Sequence, residues 1–293
     1  MTIAIRKGKY ITRNLEELFE ELAFIPGKKV FVKPNLCGRR PILPGENTSI
    51  EVMDALVDVL TAFGSEITIG HGALLAGAGT DVPYEVTLSD SGFDKYRQRS
   101  NVDIVNLDEL ERVNIEVKNM SFHIPACLAK HEAGTYLNLA KIKTHMETTL
   151  SLSLKNQMGL VSMADRVTMH RTDLERSIAF LGSIVRPDLS ILEGYPAMEG
   201  NGPHHGRPRN LEYLIAGTDM VELDSLTGWL LGYKVDEISH ISYAKSAGIG
   251  SLFNTVVLGG VRNLWFMDTK KQSRFIVWGS GYSSIPHTVV PGA

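Results

Sequence analysis

The chain is poor in cysteine. Its 293 residues hold two, Cys37 and Cys127, too few for a disulfide framework and short of the four thiolates that usually hold an iron-sulfur cluster. An iron-sulfur role would therefore need a partner protein. No apolar run reaches the length of about 18 residues that a membrane span needs. The opening MTIAIRKGKYITRN lacks the apolar segment and small-residue cleavage site of a secretory signal. These two absences predict a cytoplasmic protein with no membrane partner. Positive charge is not in surplus either: thirty Lys and Arg face thirty-three Asp and Glu, a formal net charge of -3. No global field recruits nucleic acid, so any anion site must be local. Internal repeats and low-complexity tracts are also missing, and a 43% hydrophobic, 22% charged composition is that of an ordinary globular protein.

What is present is alternation. KVFVK (29 to 33) reads as a strand, SIEVMDALVDVLTAFG (49 to 64) as a helix ending on Gly64, and EITIG (66 to 70) as a strand again. Further strand-like runs follow: VDIVNL (102 to 107), TYLNLA (135 to 140), LSILEG (189 to 194), YLIAGTD (213 to 219, with helix-like VELDSLTGWLLG after it) and TVVLG (255 to 259). Such alternation predicts an α/β fold, a mainly parallel sheet flanked by helices, in a single domain over 1–293. Between about 73 and 130 the pattern is least regular, and a small inserted subdomain is the alternative there.

Polar residues cluster where strands should end. Lys33-Pro34-Asn35, Gly70-His71-Gly72, Lys141 to His145, Glu193-Gly194 and Gly217-Thr218-Asp219 each follow one of five strand-like runs. Ligands of open parallel sheets bind outside strand C-terminal ends, so one shared crevice is expected. Lys33, Asn35, Lys141, Lys143 and Asn156 are the candidate anchors for a small anionic carboxylate or phosphate. His71 and His145 are candidates for proton transfer, because imidazole titrates near neutral pH. Lys155, beside other cations, is a candidate base or nucleophile, with a solvated helix-end lysine as the plain alternative. Leu150, Leu154 and Met158 repeat at helical spacing and favour a helix there. The glycine-rich GHGALLAGAGT (70 to 80) fits neither GxGxxG nor GxxxxGK[ST]. MEGNGPHHGRPR (198 to 209) reads as a loop, either a lid or plain surface. Cys37 is read as a small buried residue before a nucleophile.

The expected activity is proton-transfer chemistry on a small anionic metabolite: isomerisation, epimerisation or elimination. Two alternatives stay open. One is a non-catalytic protein that binds an anion or docks an iron-sulfur partner; the other is a magnesium-dependent group transferase using Asp219, Glu193 and Glu199.

Seven motifs in order, VFVKPNL, LNLAKIKTH, LSLKNQMGL, His170, LEGYPAMEGNGPHHGRP, IAGTDMVELDSL and AKSAGIG, resemble the domain of unknown function 362 family over roughly residues 29 to 250. That resemblance implies a fold and little chemistry. Relatives often carry a ferredoxin-like module, whereas this chain has no cysteine cluster. The order His71, His145, Lys155, His170 is also similar to that of the lactate racemase family. This second resemblance implies an acid/base pair in His71 and His145, a tether for a nickel-pincer nucleotide in Lys155, and a transition-metal ligand in His170. Here THMETTLSLSLK stands where that family has glycine-rich sequence.

Overall fold

The structure, a computed structural model, describes residues 3–37, 42–72 and 82–253, and the backbone of a small antiparallel pair, Asn263–Trp265 with Phe275–Val277. The glycine-rich run beyond Gly72 and the TVVLG strand lie outside the described residues. In chain order the other strands are β1 (Ile3–Lys7), β2 (Lys29–Pro34), β3 (Glu66–His71), β4 (Val102–Asn106), β5 (Arg112–Val117), β6 (Met120–Pro125), β7 (Thr135–His145), β8 (Thr149–Ser151), β9 (Leu189–Asn201), β10 (His205–Arg209) and β11 (Tyr213–Gly217). The main sheet runs β1-β11-β9-β7-β2-β3-β4, with β8 added to β7 and β10 to β9. The five strands from β9 to β4 are mutually parallel. β11 is antiparallel to β9 and to β1. The expected mainly parallel α/β sheet is present.

Hydrophobic patterning explains the layers. Central β2 is buried along nearly its whole length, as a strand covered on both faces must be. One face carries helices Ile11–Glu21 and Ile50–Ala62, whose Leu15, Phe19, Met53 and Leu56 share a cluster with Val30, Val32 and Leu137. The other carries helices Leu174–Ile184, Met220–Leu230 and Ser239–Ser246, whose Ile178, Leu223 and Ile241 cluster with Phe31, Tyr136 and Ile142. Each such side chain contributes about 1.5–3 kcal/mol on burial, which fixes both helical layers. Between β3 and β7, β4 joins the main sheet, while β5 and β6 pair with each other as a separate hairpin.

Three local readings change. β11 is antiparallel, so Gly217 to Asp219 do not leave the sheet with the parallel strands. Asp219 caps helix Met220–Leu230, accepting from the Val221 and Glu222 amides. MEGNGPHHGRPR forms the β9–β10 hairpin: Asn201 pairs with His205 and Gly200 with Gly206, and the chain reverses over Gly202, Pro203 and His204. The helix expected over Leu150 to Met158 is divided: Thr149–Ser151 pairs with β7, Ser153–Asn156 is one helical turn, and Gln157–Leu160 is 3-10.

That single turn needs outside support, since one helical turn does not stabilise itself. Asp224, fully buried on helix Met220–Leu230, accepts from Ser153 N at 2.9 Å, Ser153 Oγ at 2.6 Å and Leu154 N at 2.8 Å. Those amides would otherwise be orphaned donors of the helix start. Burial pushes the Asp224 carboxyl up to about 6 against these bonds. Asp224→Asn puts an amide donor against an amide donor, so we expect a loss of about 1–3 kcal/mol in urea unfolding. An unchanged midpoint would mean that the turn is held elsewhere.

Candidate active site

The C-terminal ends of β2, β3 and β7 surround a cavity of about 150 Å³. β2 and its exit supply Lys33, Asn35 and Cys37; β3 supplies His71; β7 supplies Lys143 and His145. The capped turn after β8 adds Lys155 and Asn156. Arg166 comes from helix Met163–Arg171, and Pro203 and His204 come from the β9–β10 hairpin. Four of these side chains are basic, Lys33, Lys143, Lys155 and Arg166, and no described residue lining the cavity is acidic.

Neutral acceptors hold the lysines. Lys33, 2% exposed, donates to Pro34 O at 3.1 Å and Asn156 Oδ1 at 3.3 Å. Asn35 Nδ2 donates to the same Asn156 oxygen at 3.1 Å. Lys143 donates to Asn35 Oδ1 at 2.8 Å and Glu46 O at 2.9 Å, with Cys37 Sγ also at 2.8 Å. Lys155 meets the Met158 thioether at 3.4 Å. Burial, then the charge of Arg166, pushes Lys33 down to about 7, with Cys37 opposing and Lys143 adding. Burial and the charge of Lys143 push Lys155 down to about 8. Both amines therefore exchange protons near neutral pH. Arg166 lies 3.7 Å from Asp108.

Both expected histidines are present and neutral. Burial holds His71 well below the ordinary imidazole value, with Lys33 and Arg166 adding to the shift. Its Nε2 is buried and makes no hydrogen bond among the described residues. Burial, then Lys155 and Lys143, push His145 down to about 2. The Glu147 amide donates to His145 Nδ1 at 3.2 Å, which places the ring proton on Nε2. The two rings differ in their surroundings: His71 Nε2 has no partner among the described residues, whereas His145 accepts at Nδ1 and presents a donor at Nε2.

Other expected residues lie apart. Lys141 shares a strand face with Lys143 but is absent from the cavity lining. It is ion-paired with Glu193 at 2.6 Å and donates to Ser49 Oγ at 2.8 Å, with both charged side chains fully buried. A register shift in the β7–β9 pairing between Lys141 and Lys143 coincides with their different surroundings. His170, on helix Met163–Arg171, sits 3.4 Å from Glu147 and is also outside the lining. Among the described residues no group of three or more His, Cys, Asp or Glu could hold a metal ion. Of the magnesium ligands expected at Glu193, Glu199 and Asp219, Glu193 is taken by Lys141. Glu199 is 3.2 Å from Arg207, and Asp219 is the helix cap. Sequence reasoning missed Arg166, Ser151 and Met158 as cavity residues. Arg166 sits in an unremarkable polar helix and is brought in only by tertiary packing.

An α/β layered protein with a basic cavity at its parallel strand ends is the class this geometry defines. The profile of the domain of unknown function 362 (DUF362) family matches residues 30–227, and the chain belongs to that family. It is 30% identical over 209 residues to a thylakoid-associated protein of Synechocystis sp., which covers 68% of this chain. The match spans 61% of that curated relative's length. A crystallised protein of Thermotoga maritima aligns over 83% of this chain and 60% of its own, at 14% identity and a TM-score of 0.43. A likeness to the lactate racemase family is not shown by these comparisons. No helix among the described residues is long and apolar enough to cross a membrane.

The lowered lysines predict how the cavity treats anions. Each is charged below its own pKa, so positive charge is lost as pH rises through about 7 and then about 8. Sulfate, whose charge is constant over this range, should bind roughly tenfold more weakly above both transitions than below them. Calorimetric titration across the range checks this, and Lys33→Met should remove the lower transition. A flat profile would place the bound anion away from both amines.

Proposed function

We propose that this protein is an enzyme that moves a proton on a small carboxylate- or phosphate-bearing metabolite, by isomerisation, epimerisation or elimination. The observation that carries this reading is four basic side chains and two neutral histidines around one cavity with no described acidic lining residue. Arg166 has Asp108 at 3.7 Å, but Lys33, Lys143 and Lys155 are held by neutral acceptors, and buried positive charge held in that way is costly unless an anion completes it. Size supports a small ligand, since a cavity of about 150 Å³ holds a molecule such as benzene.

The roles follow from the protonation states. Lys143, with Asn35 fixing its ammonium, holds the anionic group, and Lys33 assists while protonated. His71, with its ring proton on Nδ1, offers Nε2 as general base to a carbon-bound proton. His145 Nε2–H donates to the oxygen on which negative charge develops, the position where a fixed donor stabilises a transition state more than a ground state. Asn156 positions Lys33 and does not touch the reacting atoms. A neutral imidazole donor suits an enolate, because it stabilises charge without protonating it outright.

The test is solvent deuterium entry. The protein is incubated in heavy water with a panel of small hydroxy, oxo and phosphorylated acids, and exchange at carbon is followed by NMR. A true substrate should exchange, and His71→Ala should slow exchange by roughly 10²–10⁴-fold, with sulfate affinity held within a few fold. A ligand that binds through the lysines yet never exchanges would instead make this a non-catalytic anion-binding protein.

A further inference from the structure

Lys155 is used by neither anion anchoring nor proton abstraction in that scheme, and its surroundings are unlike those of the other buried lysines. Lys141 has a carboxylate, and Lys33 and Lys143 have amide or carbonyl oxygens. The Lys155 amine, 9% exposed, has a thioether sulfur as its hydrogen-bond partner among the described residues. Sulfur is a weak acceptor and holds an ammonium poorly. The amine nevertheless lines the cavity, in the same space as Lys143, His71 and His145.

We infer that Lys155 is a covalent catalyst whose Nζ condenses with the carbonyl carbon of a small 2-oxo carboxylate to give a protonated imine. The inference rests on the anion-binding part of the proposed function and names its substrate class. Lys143 and Lys33 hold the carboxylate, which places the adjacent carbonyl within the cavity that Lys155 lines. The chemistry balances without oxidant or reductant. The ammonium gives up one proton, the neutral amine adds to the carbonyl carbon, and the C–O bond breaks as oxygen leaves as water. Both hydrogens of that water come from the nitrogen, and the positive charge of the ammonium reappears on the iminium. The iminium then withdraws electrons from the neighbouring C–H bond, whose proton passes to His71. A low-polarity surrounding that favours the neutral amine is what such a nucleophile needs, and the depression of Lys155 to about 8 agrees with it. Pyruvate is close to benzene in size and fits a cavity of this volume.

Reductive trapping tests this. The full chain is incubated with pyruvate and cyanoborohydride near neutral pH, digested, and mapped by mass spectrometry. A reduced adduct should appear at Lys155 at least roughly tenfold above any other lysine, because an ordinary exposed lysine is almost fully protonated at this pH and Lys33, although lowered further than Lys155, is held by Pro34 O and Asn156 Oδ1 in the role of carboxylate anchor. Lys155→Arg, which keeps the charge, should abolish it, and the unsubstituted protein alone already localises the adduct should that variant misfold. No adduct at Lys155 with pyruvate, glyoxylate or 2-oxobutanoate, or labelling no greater than at surface lysines, overturns the inference. The two proposals fail separately. Deuterium entering the pyruvate methyl group without a Lys155 adduct would leave proton transfer standing and remove the imine. An adduct without deuterium entry would keep the imine and remove proton transfer.

Discussion

Everything at the strand ends depends on how an ammonium group is buried without a carboxylate beside it. Strand β7 shows both solutions two residues apart. Lys141 takes the ordinary one, an ion pair with Glu193 that also accepts from the Ser49 amide, and it ties β7 and β9 to the start of helix Ile50–Ala62. Lys143 and Lys33 take the other, in which amide oxygens do the accepting. Asn156 is the centre of that arrangement. Its Oδ1 accepts from Lys33 and Asn35, while its Nδ2 donates to Asn138 Oδ1 at 2.7 Å. An amide satisfies hydrogen-bonding geometry but supplies no net charge, so the lysines remain electrostatically unanswered. A carboxylate at position 156 would offset the positive charge on which the proposed anion binding rests.

Holding Asn156 in place falls to residues that never reach the cavity. Ser153–Asn156 is a single helical turn, and Asp224 binds its first amides from a helix about seventy residues along. On the other side, the segment before helix Ile50–Ala62 fixes the exit of β2. Asn35 N donates to Thr48 Oγ1 at 2.8 Å and Cys37 N to Asn47 Oδ1 at 2.7 Å. The two clamps approach the site from opposite sheet faces. Lys33 and Asn156 therefore meet because the sheet itself is rigid, and rigidity of this kind keeps a depressed pKa from relaxing toward its solution value.

Local periodicity made much of this legible. KVFVK, EITIG and TYLNLA are strands where alternation put them, and Lys33, Asn35, His71, Lys143, His145, Lys155 and Asn156 line one cavity. Position along a parallel strand is a local property, so its C-terminal end can be read from sequence. Pairing partners are not local. Nothing in YLIAGTD distinguishes a parallel strand from an antiparallel one, and nothing in LNLAKIKTH shows that Lys141 meets Glu193 fifty-two residues later. Buried Asp224 leaves a faint trace, an acid within the apolar run MVELDSL, but the amides it binds come from another element. The division of 149 to 160 into strand, turn and 3-10 pieces has a similar cause: Leu150 pairs with Thr144 of β7, and that tertiary pairing overrides helical spacing.

The proposed imine chemistry has to be consistent with the charge pattern. An anion that enters the cavity raises the pKa of every lysine near it, which by itself would silence a nucleophilic amine by protonating it. Distribution of roles avoids this conflict. Lys143, held by three acceptors, stays beside the anion, while Lys155 rests against a thioether and keeps a desolvated surrounding. Once carbon is bound to nitrogen the positive charge returns as iminium, now fixed next to the carboxylate that the other lysines hold. The site then has the same net charge before and after condensation, and its neutral histidines need not change protonation to accommodate it. In that proposed scheme, cations that repel one another would become the partners of an anion and its electron sink, so their repulsion would be relieved as the iminium forms.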